Sequence, residues 1–122
     1  MNSRRRRRAL ARALAAPLAV GGVVLLVRPE QVARAVSGRG REPSAWVVRV
    51  FGGRMLVQHT AVLLHPTRGL VLAGVAADAL HAASMVPTAL ASAAYRRPAW
   101  VSGAFAAGSA VLAAAVSPRP GD

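Results

Sequence analysis

The alternation of apolar and polar stretches divides the chain into four long apolar segments. Residues 9–27 (ALARALAAPLAVGGVVLLV) stop at Arg28 and Pro29. Residues 45–64 (AWVVRVFGGRMLVQHTAVLL) are apolar but interrupted by Arg49, Arg54, Gln58 and His59. Residues 69–94 carry Asp78 and His81 among small residues, with Pro87 placed to kink a helix near its far end. Residues 99–117 contain no charge. A helix needs about 20 apolar residues to cross the hydrocarbon of a bilayer, and each segment is close to that length. The predicted fold class is all-α: a small integral membrane bundle of four transmembrane helices. It comprises a basic N-terminal stretch over residues 1–8, a membrane domain over 9–117 and a short tail over 118–122.

Between the first two segments, residues 28–44 hold four Arg, two Glu, two Pro and two Gly. That mixture reads as a solvated or interfacial connector with about one turn of helix. The second and third segments are joined by His65-Pro66-Thr67-Arg68, short enough for a hairpin. Four antiparallel helices place both termini on one side, and the run Arg4 to Arg8 argues that this side is cytoplasmic. The arginines of the connector and of the Arg96-Arg97 turn weaken the charge asymmetry. Two rival readings stay open. Residues 1–35 have the basic, apolar and Ala33-Arg34-Ala35 parts of a cleaved signal peptide, although the apolar run is long for one and the cleavage site lies far beyond its end. The second segment could instead lie at the interface, leaving three spans and an external C-terminus.

Composition supports lipid as the solvent. Of 122 residues, 54% are hydrophobic, and the mean hydropathy of +0.39 is high for a globule that must cover itself with polar surface. Ile and Lys are absent and every basic residue is Arg, the pattern of a GC-rich bacterial genome. The net charge of +12 would suggest nucleic acid in a soluble protein. Here the arginines flank apolar runs, and few aromatics are interleaved with them to stack on bases, so no nucleic-acid partner is expected. Expected partners are the bilayer, anionic lipid headgroups at Arg4 to Arg8, and a membrane protein or second copy of the chain. Trp46 and Trp100 sit at segment starts, where interfacial rings belong. Without cysteine there is no disulfide, thiolate metal site or catalytic thiol.

The expensive residues are Arg54 and Asp78. Two central arginines cost the second segment about 5 to 7 kcal/mol on the insertion scale, while its nine Val, Leu and Phe residues return about 3 to 5. The segment therefore needs a neighbour that supplies an acid. Arg54 and Asp78 lie about twelve residues on either side of the turn, which puts both about 18 Å above it. The expected polar cluster is Arg49, Arg54, Gln58, Asp78, His81 and Ser84, with a bidentate Arg54–Asp78 bridge and remaining donors reaching Gln58 or Ser84. Gly52, Gly53 and Gly74 are expected to let the two helices approach closely. Positions 74, 78, 81, 85 and 88 share one face of the third helix.

Other chemistries fit poorly. His59 and His81 differ in depth by about 10 Å, too far to be axial ligands of one haem, and no metal-ligand spacing occurs, so neither metal nor cofactor is expected. Asp78, His81 and Ser84 project from one helix face without a nucleophile elbow, so they do not compose a catalytic triad and no enzyme is expected. The stripe Ser102, Ala106, Ala110 and Ala114, with Gly103 and Ala107, is sized to seat a helix of the same chain or of another copy.

The pattern R-x-x-G-[AG]-R-x-x-x-Q (Arg49, Gly52, Gly53, Arg54, Gln58) followed by D-A-L-H-x-x-S-M (Asp78 to Met85) resembles a group of uncharacterised small actinobacterial membrane proteins. In outline the chain is also similar to four-helix DoxX-like membrane proteins. The resemblance implies an integral membrane protein of a bacterial plasma membrane without an assigned activity, and fold analogy alone supplies no function. The expected role is structural or accessory within a membrane complex. The alternative is a small transporter or ligand-binding membrane protein that uses Arg54, Asp78 and His81.

Overall fold

The structure is a computed structural model that describes residues 2–120; Met1 and the last two residues of the tail lie outside the described residues. It is all-helical, with helices α1 (Ser3–Val27), α2 (Pro29–Ser37), α3 (Ala45–Leu64), α4 (Arg68–Ala91) and α5 (Arg96–Val116). All but α2 are long and apolar enough to cross a membrane.

Four boundaries differ from the sequence reading, one of them the end of α4, which stops at Ala91 rather than at residue 94. The basic stretch expected to precede the first span is its first turns: α1 starts at Ser3, and the Asn2 side chain caps it by accepting from Arg5 N at 2.9 Å. The connector holds a nine-residue helix rather than one turn. Pro29 at its start loses no helical hydrogen bond, Glu30 complements the N-terminal dipole, and Ala33 and Ser37 give it a buried side. The last helix begins at Arg96, with Pro98 inside its first turn, where a missing N–H is harmless.

The spans are arranged as two tight pairs. α3 packs along α1 and α4 along α5, whereas α3 and α4 touch over a short stretch only. Within each pair the contact surface is built from small residues. Ala11, Ala15, Ala19 and Gly22 are buried on α1, and Ala99, Gly103, Ala106 and Ala110 on α5. Large apolar side chains point outward: Val20, Val27, Val50, Val57, Leu80, Leu90 and Val111 are all exposed. Adjacent residues show the division, for Ala89 is 0% exposed and Leu90 70%. A water-soluble bundle buries its largest apolar groups, whereas a bundle in lipid gains most by bringing backbones together over Gly and Ala. The stripe on α5 seats α4 of the same chain, with a Cβ at Gly103 falling 3.0 Å from Met85 Cβ; Ala107 and Ala114 lie on the exposed side.

Gly52 serves a different contact from the one expected. A Cβ on Gly52 would stand 2.8 Å from the Gly22 carbonyl oxygen, and one on Gly22 would stand 2.8 Å from Gly52 O and from Leu56 N. The pair thus brings α1 and α3 backbone to backbone, while Gly53 borders open space.

Arginines tie the helix ends. At the end holding both termini, Arg12 Nε donates to Leu63 O of α3 at 2.9 Å. There Arg7 donates to Ala115 O and Ser117 O, and Arg68 to Pro118 O. At the opposite end Arg49 Nε donates to Leu26 O, and Arg96 Nε donates to Ala89 O at 3.0 Å. Each long helix therefore has a C-terminal carbonyl, or one just beyond, met by a cation, which satisfies orphan acceptors and complements the dipole. At least five of the sixteen arginines are used this way.

Candidate functional site

The polar cluster lies where the two helix pairs meet. On α3, Gln58 follows Arg54 by one helical turn, so both can face the same neighbour. Arg54 Nη1 donates to Gln58 Oε1 at 3.1 Å, and Nη2 donates to Asp78 Oδ1 of α4 at 3.3 Å. The bridge is a single contact, not the bidentate fork expected, because Gln58 occupies the other terminal nitrogen. The Asp78 side chain is 8% exposed and that of Arg54 32%. Burial is therefore lopsided: the acid sits inside the seam and the base enters from its margin.

Gly74 makes this geometry available. A Cβ there would lie 2.7 Å from Gln58 Nε2, so the absent side chain is the space that the Gln58 amide fills. One helical turn from Arg54, Phe51 offers its ring face to the guanidinium at 5.1 Å from centroid to Cζ. The same ring meets the His81 imidazole at 4.9 Å between centroids. His81 Nε2 and Ser102 Oγ then share a hydrogen bond of 2.6 Å, reaching α5. A continuous series of polar and aromatic groups thus runs from Gln58 through Arg54 and Phe51 to His81 and Ser102, with Asp78 attached to its centre.

Of the six residues expected at the cluster, four assemble: Arg54, Gln58, Asp78 and His81. Arg49 does not join them, because its guanidinium donates to Leu26 O at the end of α1. Ser84 donates to the His81 carbonyl of its own helix at 2.7 Å and is exposed. By count from the turn Arg49 and Ser84 share a level with each other, beyond that of Arg54 and Asp78, and that match brings neither into contact with the cluster. Three further residues lie at or beside the cluster that the sequence does not place there. Phe51 stands at i−3 from Arg54, a spacing that brings side chains together on a helix. In the sequence Ser102 belongs only to a packing stripe. His59 is buried and lines a small cavity with Gln58, Val62, Val71, Gly74 and Ala113. That cavity measures about 20 Å³, the room one water needs. Among the described residues no group of three or more His, Cys, Asp or Glu side chains is placed to hold a metal ion.

Comparison with protein families, with curated proteins and with solved structures finds no match to this chain. Its chemistry is therefore read from the geometry alone.

Proposed function

We propose that this chain is a multi-pass protein of a bacterial cell membrane with a structural or accessory role in a membrane complex and no catalytic reaction of its own. In this reading Arg54 and Asp78 are a pin that fixes how the α1/α3 pair meets the α4/α5 pair. One observation carries it. The terminal nitrogens of Arg54 already donate to Gln58 and Asp78 of the same chain, and the small cavity lined by Gln58, His59 and Gly74, which neither Arg54 nor Asp78 borders, admits about one water. A pocket for a transported or bound solute needs free donors and hundreds of cubic ångströms.

A double-variant cycle tests the pin. Asp78→Leu leaves Arg54 unpaired and Arg54→Leu leaves the acid buried alone, so each is expected to lower the amount of folded protein in the membrane. Arg54→Leu/Asp78→Leu is expected to recover it, together with the same co-purifying membrane proteins. The one-third exposure of Arg54 favours a second reading, in which the guanidinium is reached by a small anionic ligand from the margin of the seam. A double variant that folds normally yet loses its co-purifying species would favour that reading over the pin.

The proposed orientation has both termini cytoplasmic, supported by the arginine run at the start of α1 and by the contacts of Arg7 and Arg68 that gather both termini at one end. Anionic headgroups at that end would meet Arg4, Arg5 and Arg6, which are exposed. C-terminal reporter fusions test the orientation; an external C-terminus would overturn it.

A further inference from the structure

At the end of the bundle away from the termini, the segment after α2, residues 93–94 and the start of α5 border an open cleft of about 650 Å³. Arg39, Arg96 and Arg97 line it, Trp100 and Val101 form an apolar part of its wall, and no acidic residue does so. We propose that this cleft binds a phosphate-bearing anion, supplied as the headgroup of an anionic phospholipid.

The cleft is shaped by two glycines. Gly38 has a φ of +56°, a conformation that L side chains rarely adopt, and a Cβ there would lie 2.6 Å from Arg97 Nη1. The Arg97 guanidinium is seated in the space left by that missing side chain. Gly40 lets the loop press on the 92–95 turn, since a Cβ there would lie 2.8 Å from Ala94 O. The two segments are then joined by Arg41 N donating to Ala94 O at 2.8 Å and by the Arg41 guanidinium lying over the Tyr95 ring.

Three guanidinium groups around one cleft repel one another. Arg96 is tied to Ala89 O through Nε, but among the described residues neither the Arg39 nor the Arg97 guanidinium makes a hydrogen bond or ion pair. The start of α5 adds to the same field, because Tyr95 provides no side-chain cap and the helix dipole is positive there. Guanidinium forks match phosphate oxygens in geometry and charge. The cleft stands at the boundary of the apolar segments, where headgroups lie, and Trp100, 48% exposed, is the ring type that settles at that level. An acyl chain descending from the headgroup would continue along the exposed Val101 and Phe105 of α5.

The test uses the full chain with Trp46→Phe, leaving Trp100 as the sole indole, in phosphatidylcholine vesicles containing a minor fraction of acyl-brominated lipid. Brominated phosphatidylglycerol is expected to quench Trp100 more than the same fraction of brominated phosphatidylcholine. The Arg39→Gln/Arg97→Gln variant is expected to weaken that preference about twenty-fivefold, roughly fivefold per arginine. Arg28→Gln/Arg34→Gln, which removes equal charge at the same end but outside the cleft, is expected to keep it. If the double variant fails to fold, Arg39→Gln alone reads part of the same loss. Equal quenching by the two lipids, or a preference that survives Arg39→Gln/Arg97→Gln, would overturn the proposal. So would loss of the preference on adding inorganic phosphate but not sulfate of equal ionic strength, which would identify free phosphate as the occupant.

Discussion

The contact between α1 and α3 and the contact between α3 and α4 use one helix in opposite ways. Against α1, α3 presents Gly52, and the Gly22 and Gly52 backbones meet with no charged group between them. Against α4 it presents Arg54 and Gln58, and the helices stand apart except where these side chains reach across. Dispersion over small residues holds the first contact; a charge pair in a low-dielectric seam holds the second. Close packing needs no partner chemistry but tolerates no added atom. A polar bridge tolerates spacing but fails when either partner is removed.

The most damaging change should therefore be at the packed contact. Gly52→Val would place its Cβ 2.8 Å from the Gly22 carbonyl and still closer to Leu25 Cβ, and its two further methyl groups have nowhere to go. Since a backbone atom cannot rotate away, the α1/α3 pair should separate at a cost of about 3 kcal/mol or more. Unfolding in mixed micelles would measure it; a stability within experimental error of the parent would show that the pair is looser than described.

Breaking the seam comes next. Asp78→Ala leaves the Arg54 guanidinium without its acid inside an apolar span, worth about 2.5 kcal/mol on the insertion scale, reduced in proportion as Arg54 reaches its exposed margin. Membrane-integrated yield measures this, and the effect should fall most on the α3/α4 contact, detectable as faster protease cleavage at the 65–67 turn. Uniform loss across all loops would mean that the pair supports insertion of α3 without defining the seam.

A smaller effect is expected where the cluster reaches α5. Ser102→Ala removes one interhelical hydrogen bond from His81, inside a pair already held by Gly103 and Ala106. Such bonds in membranes contribute about 0.6 kcal/mol. A loss of several kcal/mol in the same unfolding assay would move His81 and Ser102 from accessory contacts to the centre of the site.

The two contacts also differ in how far the sequence disclosed them. Charge in an apolar run is conspicuous, and counting residues from the turn sufficed to pair Arg54 with Asp78, because helical rise converts number into depth. Counting gives height but not azimuth. Arg49 and Ser84 share a level yet point elsewhere, Arg49 to the end of α1 and Ser84 to its own backbone. Glycines carry no chemical mark of the neighbour they admit, so the sequence alone points Gly52 to the nearest helix in the chain rather than to α1. The helix Pro29–Ser37 was hidden by a composition typical of loops, although Pro at its start and Glu30 behind it are ordinary helix-start signals.

The sharpest form of the comparison lies within the pair Gly52-Gly53. The two residues are adjacent, chemically identical and both inside α3, so intrinsic helix propensity treats them alike. Their surroundings do not: a Cβ on Gly53 meets nothing within 4 Å. Gly53→Ala should thus keep the fold and gain the helix-propensity difference, about 0.5 to 1 kcal/mol of added stability. Gly52→Ala should lose stability, since even one methyl group meets the Gly22 carbonyl. Opposite signs in the same unfolding assay would locate the close approach at one residue and on one side of α3. Equal signs would mean that α3 is rotated, in which case Arg54, two positions from Gly52, would no longer face Asp78 and the seam would have to be built differently.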